Sequence, residues 1–153
     1  PDQPSTEAAV SAKVVARYMD GRLVKGTTMD ASPNREFCHV RPAEGPPVVV
    51  YFRELKALFF VRTFEGDPTH EEVLTPDPAD LRARGAVLVS LVFRDGERVV
   101  GMTVRYPPPS QYFFVTPVGA RSNNVRMLVN GDALTSIEPL PALAPEGLRL
   151  RHG

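Results

Sequence analysis

Cys38-His39 is the first pair in this sequence whose types could do chemistry, since an imidazole beside a thiol can raise a thiolate nucleophile. The pair lies in "EFCHV", a run that reads as a β-strand, and neighbouring strand residues point to opposite faces. Cys38 is therefore expected to be a buried structural cysteine. The other histidines, His70 and His152, are scattered and give no metal-ligand spacing. The acids Glu65, Asp67, Glu71, Glu72, Asp77 and Asp80 crowd one segment, and such a run reads as solvated surface. The phosphate-loop, dinucleotide, zinc-protease and nucleophile-elbow motifs do not occur. The expectation is a chain that is not an enzyme, takes no cofactor and holds no metal.

A ligand site is the second option. Asp30-Ala31-Ser32-Pro33-Asn34-Arg35 follows two arginines, Arg17 and Arg22. Arginines clamp phosphates and stack on bases, while Asp and Ser fix a turn. This resembles the cyclic-dinucleotide site of PilZ domains, which are small β-barrels with an R-x-x-x-R stretch and a D-x-S-x-x-G motif. Arg35 stands where that motif has glycine, and Arg17 and Arg22 are one residue too far apart. Asp-x-Ser-Pro-Asn is also an ordinary turn sequence whose side-chain oxygens cap backbone amides. A degenerate receptor for cyclic di-GMP, built from Arg17, Arg22, Asp30, Ser32 and Arg35, is thus the alternative function. A third is Sm- or OB-like single-stranded nucleic-acid binding through Tyr112, Phe113, Phe114, Arg121, Asn123, Asn124 and Arg126. The formal net charge of +0 speaks against nucleic acid.

Short strands must position these residues. The chain has 153 residues, 16 prolines, 11 glycines and no tryptophan, a balance that favours tight turns and strands. One cysteine excludes an internal disulfide and fits a reducing, cytoplasmic setting. No apolar run reaches membrane-spanning length. The first residue is not Met, so an excised piece of a longer protein is one reading.

Residues 1–11 read as a disordered lead, 12–62 as a first small β-barrel, 63–85 as an acidic, proline-containing linker with one helical turn after Pro78, 86–140 as a second small barrel, and 141–153 as an extended tail. "KVVARYM" alternates as a strand does, and Asp20-Gly21 predicts a type I′ hairpin. Gly26 marks a bend. The pattern recurs: Asp20-Gly21 matches Asp95-Gly96 at an offset of 75, and Gly26, Thr28, Phe37 and Val40 then meet Gly101, Thr103, Tyr112 and Val115. After a longer second loop, Leu55-x-x-Leu58 finds its partner in Leu134-x-x-Ile137. The expected fold class is all-β, two tandem SH3- or Sm-like barrels packed together. A barrel of this size is marginal alone, and "VVVYF", "LFFV" and "VLVSLVF" are apolar on both faces, so the two units are expected to touch or to meet another chain.

"KVVARYMDGRLVKGTTMDASPN" followed by "RELKALFFVRTFEGD" resembles an uncharacterised bacterial small-barrel domain associated with PilZ, signalling and motility proteins. The resemblance runs from about Lys13 to Leu140 and implies a tandem module for regulation or assembly, with no catalysis. The expected function is a protein-interaction or adaptor module with a protein partner, with a homodimer also open. Leu58, Phe59, Phe60 and Phe64 are the candidate partner surface, against the alternative that Phe59, Phe60 and Phe64 seal the two units to each other. An exposed strand edge is the other candidate contact.

Overall fold

The structure, a computed structural model, describes residues 11–64, 86–118 and 123–141. The expected lead, linker with its helical turn, and tail lie almost wholly outside the described residues. Within them the chain is all-β. The strands are β1 (Ala12–Tyr18), β2 (Leu23–Thr28), β3 (Phe37–Val40), β4 (Val48–Tyr51), β5 (Leu55–Val61), β6 (Val87–Phe93), β7 (Arg98–Thr103), β8 (Tyr112–Pro117), β9 (Asn124–Asn130) and β10 (Leu134–Pro139). Short 3-10 turns, Phe52–Glu54 and Gly131–Ala133, lead into β5 and β10.

Two separate closed barrels do not form. One antiparallel sheet of eight strands runs β10-β6-β7-β8-β9-β5-β1-β2, and β3-β4 make a sheet of two. The cause is one ladder. β5 pairs on one side with β1 and on the other with β9, fusing the halves at Leu58↔Leu128 and its neighbours. The small sheet is tied to β2 through a bridge between Thr27 and Arg41.

The register of β1–β5 recurs in β6–β10. Val14 pairs with Gly26, and Val89 with Gly101, a shift of 75 on both strands. Cys38 pairs with Val50, and Phe113 with Val129, shifts of 75 and 79. Ala16 pairs with Leu58, and Leu91 with Ile137, again 75 and 79. Gly26 and Gly101 serve one purpose in the two halves. A Cβ on Gly26 would lie 2.4 Å from the Arg41 carbonyl oxygen, and one on Gly101 would lie 2.4 Å from Val115 Cγ1. Only glycine lets β2 and β7 pass so close to the next strand.

The Asp-Gly turns differ from the expected type I′. Tyr18 N–H donates to Arg22 O and Gly21 N–H to Tyr18 O, which encloses three residues, with the positive φ of 98° at Gly21. This is the three-residue hairpin loop with glycine in the left-handed position. The turn around Gly96 repeats it, with Phe93 donating to Glu97.

Two of the doubly apolar strands, β5 and β6, have their two-sided cover, whereas β4 leaves Val49 and Tyr51 exposed. Val15, Ala57, Phe59 and Val61 pack with Val89, Leu91, Phe93, Phe113 and Met127 of the second half. Val14, Ala16, Leu58 and Phe60 face the other way, against Val40, Val50 and Phe52, joined by Tyr112 and Leu128. Every residue of β5 is buried. Each phenylalanine buried there is worth about 1.5–3 kcal/mol, so the seam is a principal source of stability.

Candidate functional site

Sheet parity decides which backbone groups are free. In an antiparallel pair, alternate residues turn both N–H and C=O toward the partner strand. Phe52 N–H donates to Glu36 O in line with the β3-β4 ladder, so Val50 and Val48 face β3. Val49 and Tyr51 then turn their N–H and C=O away from β3. Among the described residues β4 pairs only with β3, so these groups lie on an open edge. The side chains of the same two residues are exposed, Val49 at 43% and Tyr51 at 39%. Tyr51 meets Phe37 edge to face, centroids 5.8 Å apart. Arg53 stacks on Tyr51 at 5.1 Å and Arg35 on Phe37 at 5.2 Å. The edge thus carries tyrosine, phenylalanine and two arginines, residue types that dominate binding hot spots.

The side chain of His39 points outward beside this patch, and Cys38 points inward with 0% exposure. Burial pushes the Cys38 thiol up to about 11. A neutral thiol on the opposite face from the imidazole leaves no nucleophilic pair, as the strand pattern implied. Among the described residues no cluster of His, Cys, Asp and Glu could hold a metal.

The ligand-site candidates separate into two groups. Arg17 pairs with Leu23 at the turn end of the β1-β2 hairpin, whereas Thr28, beside Asp30, pairs with Ala12 at the far end. Five strand residues between the two ends span about 17 Å. Arg22 is engaged locally, its Nε 2.9 Å from Asp20 Oδ2 and its guanidinium 4.2 Å from the Tyr18 ring. Arg17 lies over Phe59 at 5.8 Å. Asp30 accepts from His39 N–H at 2.9 Å and from Thr28 Oγ1 at 3.0 Å, and meets His39 Nδ1 at 2.7 Å and Arg35 at 3.9 Å. Burial works to raise the Asp30 pKa, but the His39 and Thr28 hydrogen bonds outweigh it and hold the carboxyl low. Ser32 Oγ accepts from Asn34 N–H, and Ser32 O from Arg35 N–H. The side-chain oxygens of the Asp-x-Ser-Pro-Asn turn are thus engaged by Thr28, Asn34 and His39, and Asp30 braces β3 at His39.

Arg17 and Arg22 do line a groove of about 390 Å³ between the two Asp-Gly turns, with Tyr18, Lys56, Phe93 and Asp95. Lys56 dominates its chemistry. Its side chain is 11% exposed, and Nζ donates to Asp95 Oδ2 at 2.7 Å and to Glu97 Oε1. The ammonium also sits 4.8 Å from the Phe93 ring. The Lys56 hydrogen bond, then the Glu97 backbone N–H, hold Asp95 below its usual pKa. This cluster links the halves and leaves no free cation from Lys56 for a ligand.

The partner candidates lie inside. Leu58 is 0% exposed, and Phe59 and Phe60 are each 7% exposed. Phe64 packs partly buried against the cluster that holds Phe59. These side chains bind the halves to each other, which leaves little of them for another protein. Tyr112 and Phe113 are likewise buried, and Phe114 is half-buried. Arg126 lies over Phe60 at 4.8 Å and Phe114 at 4.1 Å, and burial lowers its pKa. Asn123 bonds Thr63 rather than standing free. Arg121 lies outside the described residues. The sequence drew attention to the most aromatic strand and passed over β4, whose two-residue parity was the available signal.

An antiparallel all-β protein with one aromatic open edge is the class that fold and site define. The chain belongs to a family of unknown function, DUF6982, whose model matches residues 10–141. No curated protein and no solved structure matches it. No helix among the described residues is long and apolar enough to cross a membrane.

Proposed function

We propose that this chain is a non-catalytic interaction module, two repeated β-units fused at a shared seam, that takes up an extended segment of a partner protein along β4. The placement in bacterial signalling or motility rests on the sequence resemblance alone. The observation that carries the binding mode is the coincidence at Val49 and Tyr51 of outward backbone groups and exposed apolar side chains. An added strand would gain main-chain hydrogen bonds from the edge and specificity from the Phe37, Tyr51, Arg35 and Arg53 patch.

Val49→Pro tests this. It removes one outward N–H without touching the β3 ladder. Affinity capture with wild-type and Val49→Pro protein, each shown by circular dichroism to be folded, should retain a partner on the first and lose it on the second. Identical captured sets would sink the strand-addition mode. Calorimetric titration with cyclic di-GMP should give a flat trace, because the Arg17 and Arg22 pair and the Asp30, Ser32 and Arg35 turn occupy opposite ends of one hairpin.

A further inference from the structure

The seam is a template for what the free edges would do. Gly131 N–H donates to Gln111 O in line with the β8-β9 ladder, so Leu128 and Arg126 turn their backbone groups toward β5. They meet Leu58 and Phe60. The shift of 79 carries Leu128 and Arg126 onto Val49 and Pro47 of the β4 edge, and Leu58 and Phe60 onto Ile137 and Pro139 of β10. Leu140 N–H donates to Leu88 O, which fixes the β10 parity: Ile137 and Pro139 face away from β6. Among the described residues β10 has no other partner. The β4 and β10 edges, open among the described residues, are therefore matched in sense, register and parity, as the two strands of the seam are. β4 of one copy and β10 of another have the geometry to pair head to tail. Such a contact is heterologous and propagates unless it closes.

One rung breaks the match. Where the seam has Arg126 opposite Phe60, the free edges would set Pro47 opposite Pro139. Neither proline has an N–H, so both hydrogen bonds of that rung are lost together. A foreign strand with any other residue opposite Pro47 still donates to the Pro47 carbonyl and keeps one of the two. Both prolines are exposed. We infer that Pro47 and Pro139 are a matched pair of stops that keep copies of this chain from joining β4 to β10, leaving the β4 edge to a strand from a different protein. Proline on an edge strand is a recognised guard against such pairing.

The test is sedimentation velocity on the full chain over a concentration series. Wild type should run as a monomer throughout. P47T/P139T, with each single variant beside it and folding checked by circular dichroism, should shift toward dimers and higher species as concentration rises. Adding Val49→Pro to the double variant should return it to monomer. A folded double variant that stays monomeric overturns the inference. So does wild type that already associates and is dissociated by Val49→Pro, and so does association that survives the added Val49→Pro. The inference concerns the edge assigned to the partner and rests on that reading only for the edge's use. Capture of a partner by wild type alone leaves that reading standing when the prolines prove idle, and the reverse result separates them equally.

Discussion

Replacing Asn130 with alanine should cost about 3 kcal/mol, although the residue touches no candidate ligand site. Asn130 is 2% exposed at the end of β9. Its Nδ2 donates to Leu55 O at 2.9 Å and Arg53 O at 3.3 Å, across to the first half. Its Oδ1 accepts from Asp132 N–H at 3.0 Å, capping the second 3-10 turn, and from Gln111 Nε2 at 2.9 Å. Every polar atom of the amide is in use. Truncation orphans the buried Leu55 carbonyl at about 1–3 kcal/mol. The lost cap adds about 1 kcal/mol. The other partners are partly exposed and take up water. A loss of this size lowers Tm by about 6–12 °C in a chain of this length. Because the chain has no tryptophan, guanidinium denaturation is followed by far-UV circular dichroism. Asn130→Asp is the sharper variant. It keeps the shape but turns a carboxylate toward two carbonyl oxygens, so its folded-state pKa rises above the unfolded value. Its deficit should therefore shrink as pH falls toward the unfolded carboxyl value of about 4, where the protonated acid donates to Leu55 O. An alanine variant within about 1 kcal/mol of wild type would refute the idea that this amide ties the halves together.

The Lys56 cluster should be asymmetric. Asp95 and Glu97 are about half exposed and Lys56 is buried, so Lys56→Met frees two acids into water and should cost at most about 1 kcal/mol, whereas D95N/E97Q strands a buried ammonium and should cost about 2–3 kcal/mol in the same denaturation assay. With Asp95 held low by Lys56, that stability is present above the unfolded carboxyl value and is lost as pH falls through the folded one, so acid unfolding of D95N/E97Q should begin from a lower plateau with a shallower slope. Gly26→Ala should cost about 3 kcal/mol, because its Cβ meets the Arg41 carbonyl oxygen at 2.4 Å, and Gly101→Ala about as much, since its Cβ meets the buried Val115 side chain and the Thr116 carbonyl oxygen at 2.9 Å. Cys38, with its thiol near 11 and no exposure, should react with an aromatic disulfide only at the global unfolding rate, and fast labelling of native protein would contradict its burial.

Local patterns in the sequence were legible because their causes are local. The alternation of "KVVARYM" and the Asp-Gly turns follow from the reach of a few residues, and each lies where it was expected; at Gly26 the strand register is unbroken, and the glycine instead admits the close approach of Arg41, fifteen residues on. The turn type was misjudged because Asp-Gly closes two-residue and three-residue loops alike, and the ladder decides which. The expected barrels failed as separate bodies for a long-range reason. β5 is apolar on both faces in either arrangement, and nothing in "LKALFFV" says whether its second edge meets β4 of its own half or β9 of the other. The burial of Leu58, Phe59 and Phe60 follows from the same seam. Phe59 and Phe60 of one strand belong to two cores, one on each face of the sheet.

The seam also explains why equivalent positions carry unlike residues. Leu128, inside the seam, is 3% exposed, while Val49, its counterpart by register, is 43% exposed. Asn130 is buried with a full set of hydrogen bonds, while its counterpart Tyr51 is 39% exposed and stacked under Arg53. Asp20 pairs within its own turn to Arg22, while Asp95 and Glu97 reach Lys56 of the other half. In each pair the second-half residue is spent on the junction and its first-half counterpart faces water. Among the described residues a duplicated strand order thus yields a closed junction at β9 and an open edge at its counterpart β4. The open one keeps the aromatic Tyr51 where the closed one has the amide of Asn130, a composition that the partner edge proposed above calls for.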